Sequence, residues 1–144
     1  MKIAFYQAKS GTFLDKVVAF FSRSEYSHCE LVFSDGMFGS ASDRDDGVRF
    51  KRINPSTKHW DIFDLTNEDQ TPISFDQESR IRYWFALNDD KKYDWFGAIL
   101  SLFGIDLERE DSTYCSYVCA DLLGLYPAVT PQRLLETLHK KGMI

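Results

Sequence analysis

Two cysteines stand four residues apart in YCSYVCADLLG, residues 114–124, and a third directly follows a histidine in SHCELVF, residues 27–33. A cysteine attacks as its thiolate, and such a nucleophile needs an imidazole within reach as base and a third polar group to orient the ring. Cys115 falls in the first turn of the helix that this stretch predicts, just after Ser112 and Thr113. There the unpaired backbone N–H groups and the helix dipole favour a thiolate. Cys119 lies one turn deeper and continues an apolar stripe with Val118 and Leu122, so it reads as packing. The competing reading of Cys115 is an inert, buried thiol of the same kind.

Of the three histidines, His139 sits in a lysine-rich last helical turn, as a solvated cation would, and His59 stands beside Lys58 as loop surface. His28 differs, because it begins an apolar strand and Glu30, two residues on, projects from the same face. An imidazole and a carboxylate then share one side of a sheet, although a half-exposed polar strand face is the plainer meaning of that pair. Cys115, Cys119, His28 and Cys29 are also four soft ligands of the kind zinc takes. Against that reading, His28 and Cys29 are neighbours on a strand and point to opposite faces, so one metal takes both only across a bulge. Neither a metal nor a cofactor is expected.

Size and composition narrow the setting. A chain of 144 residues with 44% hydrophobic, 27% charged and 15% aromatic residues suits a single globular domain over 1–144. The net charge of -5 argues against nucleic acid as a partner, and Lys51-Arg52 is too small a basic cluster to reverse that. In the opening MKIAFYQAKSGTFLDKVVAFF, the residues Gln7, Lys9, Ser10, Asp15 and Lys16 interrupt any signal-peptide run, so the segment is expected to be retained. The longest apolar stretch, WFGAILSLFGI, is about half what a bilayer span requires, and no stable membrane insertion is expected. An odd cysteine count fits a reducing compartment, giving a cytoplasmic expectation, with release by lysis or packaging in a particle as the routes out.

The elements that must position the candidates follow from periodicity. KIAFYQA reads as a buried strand, and Thr12 then caps a helix over FLDKVVAFFSR with Phe13, Val17, Phe20 and Phe21 on its stripe. SHCELVF, MFGSAS, GVRFKRI and HWDIFDL read as an antiparallel meander, turned first at SDG and then at the acidic DRDDG. Helical spacing returns in SFDQESRIRYWFAL, with Ser74 as cap and Phe75, Ile81, Trp84 and Phe85 inward. Further helices are expected over DWFGAILSLFG, over TYCSYVCADLLG up to Gly124, and over TPQRLLETLHKK with Pro131 in its first turn. The class is α+β, a meander packed against helices.

SHCELVF early, YDW before an apolar helix and YCSYVCADLLG late together resemble the circularly permuted branch of the NlpC-like papain-fold superfamily, which includes the lecithin retinol acyltransferase-like proteins. In that branch the histidine strand precedes the cysteine helix. The resemblance spans nearly the whole chain and implies a papain-like domain with Cys115 as nucleophile and His28 as base. Many members carry their third polar residue on the next strand, about a dozen residues on; that position is Ser40, with Ser42 nearby, and Glu30 is the alternative orienting group, ranked ahead of it. The family's more usual CSE is CSY here, with Tyr117 in place of the acid. The implied activity is a cysteine peptidase or amidase working through an acyl-enzyme, with peptidoglycan peptides the commonest substrate. An acyltransferase or thioesterase on an acyl substrate, and a non-catalytic binding domain, are the alternatives. Tyr26, Trp95, Tyr114 and Tyr117 are aromatic candidates for the groove, or else for ordinary packing.

Overall fold

The apolar alternation of the first half builds a sheet, and the helical stripes of the second half cover it. The computed structural model describes residues 1–10, 25–55, 58–101, 103, 105, 111–125 and 130–144. Strands β1 (Lys2–Gln7), β2 (Tyr26–Val32), β3 (Met37–Ser42), β4 (Gly47–Arg52), β5 (Trp60–Asp64), β6 (Lys92–Tyr93) and β7 (Ser112–Thr113) form one sheet in the order β5-β1-β2-β3-β4-β6-β7. Every neighbouring pair is antiparallel except β6 and β7, which run parallel. The helices among the described residues are α1 (Phe75–Leu87), α2 (Trp95–Ser101), α3 (Cys115–Leu122) and α4 (Pro131–Lys140). The result is a mixed α/β domain in which β2, β3 and β4 form the expected meander, but β5 does not continue it: HWDIFDL returns to pair with β1 at the far edge of the sheet, a choice of partner that alternation does not encode. The two-residue strands β6 and β7 left no mark in the sequence, since neither is long enough to show a period. The expected helix over FLDKVVAFFSR, with its cap at Thr12, lies outside the described residues.

One face of the sheet carries the main core. Ile3 and Phe5 of β1, Cys29 and Leu31 of β2, Ala41 of β3 and Val48 of β4 pack there with Val118 and Cys119 of α3 and Leu134 and Leu138 of α4. The opposite face has a smaller apolar cluster of Ala4, Val32 and Phe38, with Ile53 and Trp60 against it. Gly36, at φ 80°, makes the tight turn between β2 and β3 in a conformation that side chains disfavour. On β3, Gly39 lets Phe85 approach so closely that a Cβ there would stand 2.7 Å from its ring.

The helix starts follow their capping chemistry. Ser74 and Gln77 form a reciprocal capping box at α1, and Thr130 accepts from the Arg133 N–H at α4, whose first residue is Pro131. Within α1, Ile81 and Phe85 are buried as expected, but Phe75 is 84% exposed. It occupies the first helical position, where the side chain points back beyond the end of the core rather than into it. Among the described residues no helix is long and apolar enough to cross a membrane.

Candidate active site

At its N-terminal end β2 departs from a regular strand on both sides. Towards β1, Tyr6 pairs with His28 but Gln7 pairs with Tyr26, so Ser27 is an extra residue and the strand bulges immediately before His28. A bulge bends its strand and re-aims the adjoining side chain. Towards β3, the ladder is confined to Leu31↔Gly39 and Val32↔Phe38, whereas β3 and β4 pair over six positions. The Cys29 carbonyl instead accepts from the Ser40 hydroxyl at 2.7 Å and faces the Cys119 thiol at 3.8 Å. Through this opening the start of α3, which packs on the main-core face, reaches a histidine that strict alternation assigns to the other face.

Helix α3 begins at Cys115 because the chain arrives extended. Thr113 is held in β7, its carbonyl accepts from the Asp94 N–H at 2.8 Å, and Tyr114 is the N-cap with extended backbone. Asp94 is itself anchored, its carboxylate accepting from the Gly97 N–H at 2.8 Å at the head of α2. The YDW motif therefore fixes the approach to Cys115 from beside it.

Three groups converge on the Cys115 sulfur, which is buried. The Cys29 thiol and backbone N–H and the His28 ring are the groups that lie near enough to the sulfur to shift its titration. The Cys29 thiol bond holds the Cys115 thiol well below its ordinary range; burial opposes this, and the charge and hydrogen bond of His28 add to it. Cys29 moves the other way, pushed up by burial and by donating to Cys115 and Cys119. Burial would lower His28, but the Cys115 thiolate and then Glu30 outweigh it and raise the imidazole from 6.5 to about 10. Both shifts favour the thiolate–imidazolium form of the pair.

Glu30 is fully buried, and its Oε1 accepts from His28 Nε2 at 3.1 Å. With Nε2 so engaged, Nδ1 is the ring nitrogen left for the sulfur. The same oxygen also accepts from Arg49 of β4, a residue that sequence patterning did not single out. Burial would raise the Glu30 carboxyl, and its bonds and charge attraction to His28 and Arg49 overcome that and lower it. Trp60 covers the ring edge-on, with centroids 6.2 Å apart. Of the four expected site residues, Cys115, His28 and Glu30 come together in that order, while the Ser40 hydroxyl serves the Cys29 backbone. Ser42 is likewise buried, on the same strand.

His59 is half-buried and its ring lies near Tyr6, while His139 on the exposed end of α4 meets Phe63 edge-on. Among the aromatic candidates, Tyr26 is buried with its hydroxyl donating to Asp61 at 2.7 Å, and Tyr114 is buried with its ring against Tyr117. Only Trp95 is well exposed, on a cleft of about 630 Å³ that Tyr93, Phe96 and Ser112 also line. Among the described residues no group of three or more histidine, cysteine or acidic side chains is placed to hold a metal ion.

Set against known proteins, the chain matches no family model, no curated protein and no solved structure.

Proposed function

We propose that this protein is a thiol hydrolase of the permuted NlpC-like papain-fold type, with Cys115 as nucleophile, His28 as general acid and base, and Glu30 as the group that orients the ring. The observation that carries this is the convergence of the Cys115 sulfur, the His28 imidazole and the Glu30 carboxylate at the start of a helix.

In the reaction the Cys115 thiolate adds to the carbonyl carbon of an amide, and the carbonyl oxygen becomes an oxyanion facing the backbone N–H groups at the helix start, that of Cys115 among them. Collapse breaks the C–N bond as the His28 imidazolium gives its proton to the departing amine, leaving a thioester on Cys115 and a neutral imidazole. Water then attacks the thioester while His28 takes its proton. The carboxylic acid leaves, and the thiolate and imidazolium are restored. The substrate we favour is a peptidoglycan peptide.

A second reading, transfer of the acyl group to an acceptor other than water, is favoured by the exposed apolar residues of α2 and the segment after it. Trp95, Phe96, Ile99, Phe103 and Ile105 are each between 47% and 69% exposed, more than an ordinary soluble surface concentrates in one short stretch. Hydrolysis of cell-wall peptide fragments and of medium-chain acyl esters by the wild type, Cys115→Ala and His28→Ala tests both readings. Loss of one activity in both variants, with melting temperature retained, is the expected result. A wild-type rate on both substrates no greater than that of Cys115→Ala would leave a binding domain as the better description.

A further inference from the structure

Arg49 stands opposite Ser40 in the β3–β4 ladder and faces the same side of the sheet as Glu30. Its side chain is only 13% exposed and joins two carboxylates. One terminal nitrogen donates to Glu30 Oε1, and the other lies 2.7 Å from Asp45 Oδ2. Asp45 is paired in turn with Lys51. Outward from the sulfur the charges alternate in sign: thiolate, imidazolium, Glu30, Arg49, Asp45, Lys51.

The charged groups meeting the Glu30 carboxylate among the described residues are His28 from β2 and Arg49 from β4, with Cys115 of α3 behind His28. Without Arg49 the buried thiolate, imidazolium and carboxylate would carry a net negative charge, and an uncompensated charge away from water is costly. With it the four sum to zero. One carboxylate oxygen takes both donors, so the guanidinium also sets where the imidazole finds its acceptor. A planar fork that spans two carboxylates does this in a way an ammonium cannot fully copy.

We propose that Arg49 is a positioning residue of this site: anchored by Asp45, it holds the Glu30 carboxylate ionised and in place against His28, and thereby favours the Cys115 thiolate without touching it. The proposal rests on the Cys115–His28 pair being a working one.

Iodoacetamide labelling of Cys115, read peptide by peptide across pH, tests it in the wild type, Arg49→Met, Arg49→Lys and Asp45→Asn, with a melting temperature for each. Removing a positive charge disfavours the thiolate, so the acid limb of labelling moves to higher pH. Arg49→Met is expected to move it by about one unit, which is about tenfold slower labelling at a pH on the wild-type limb. Arg49→Lys should recover more than half of that shift, and Asp45→Asn should move the limb the same way by less, because releasing the Arg49 guanidinium is opposed by the loss of a negative charge farther from the sulfur. A purely structural arginine would lower the melting temperature and leave the limb in place. If Arg49→Met does not fold, limbs for Asp45→Asn and Arg49→Lys that both coincide with wild type overturn the proposal. A normal wild-type limb unmoved in every folded variant overturns the role of Arg49 alone. A wild-type Cys115 that labels like an ordinary thiol overturns the pair, and this proposal with it.

Discussion

The two ends of β2 are built on opposite plans. At Leu31 and Val32 the strand is paired to β1 and β3 at once, and its side chains enter apolar clusters on both faces. From Ser27 to Glu30 it bulges from β1 at Ser27, parts from β3, and sets a buried thiol and a buried carboxylate beside a partly buried imidazole. The closed end is held by ladder hydrogen bonds and hydrophobic burial, which are insensitive to pH. The open end gives up ladder pairing so that a helix start on one face can meet a histidine from the other, and what replaces the ladder is charge. Reactivity should therefore belong to the open end, and plain stability to the closed one.

The largest contrast is in pH. His28 is raised from 6.5 to about 10, so its contribution to folding is complete below pH 6.5 and is lost as pH rises through about 10. Cys115 lies well below 9, so its contribution is present above pH 9 and is lost as pH falls through the lowered value. Labelling of Cys115 needs only the thiolate and should persist at high pH. The proposed amide hydrolysis also needs the imidazolium proton and should fall as pH passes about 10. Parallel profiles of labelling and hydrolysis separate the two; a labelling rate that begins to climb only near pH 9 would remove the ion pair from the open end.

Gly39→Ala probes the closed end. Its Cβ would lie 2.7 and 2.8 Å from two Phe85 ring atoms and 3.1 Å from Phe33, and both rings are buried. Overpacking of this kind costs about 1–3 kcal/mol, to be read from urea unfolding. The pH limb of Cys115 labelling should not move. If it does, the two ends are mechanically coupled and the division drawn between them is wrong.

Much of this division is written locally in the chain. Alternation in SHCELVF puts His28 and Glu30 on one face, and the extended approach through Ser112 and Thr113 puts Cys115 at a helix start; both follow from neighbours in sequence. The bulge at Ser27 and the short β2–β3 ladder left no such mark, because each depends on how one strand registers against another. Arg49 escaped notice for the same reason. In GVRFKRI it alternates with Lys51 as any solvent-facing cation would, and its partner Glu30 lies two strands away across β3. The one available signal was that a carboxylate expected on a half-buried face needed a cation from somewhere. Cys29 shows the limit from the other side: alternation correctly separates it from His28, yet both reach the same sulfur, since the strand is not straight where they sit.

Ser40→Ala should have the smallest effect and discriminates most finely. Ser40 and Glu30 were both candidates to orient His28, and they lie on the same side of the sheet. The Ser40 hydroxyl donates to the buried Cys29 carbonyl at 2.7 Å, at the point where the β2–β3 ladder has ended, so it stands in for a missing backbone donor. Its removal leaves that carbonyl with the longer contact to the Cys119 thiol and should cost about 1 kcal/mol in unfolding free energy. The Glu30 bond to His28 Nε2 would be intact, so the hydrolysis rate and the acid limb of Cys115 labelling should match the wild type. A folded Ser40→Ala protein that loses hydrolysis by tenfold or more, on the order of 1.4 kcal/mol in the barrier, would transfer the orienting role from Glu30 to the serine.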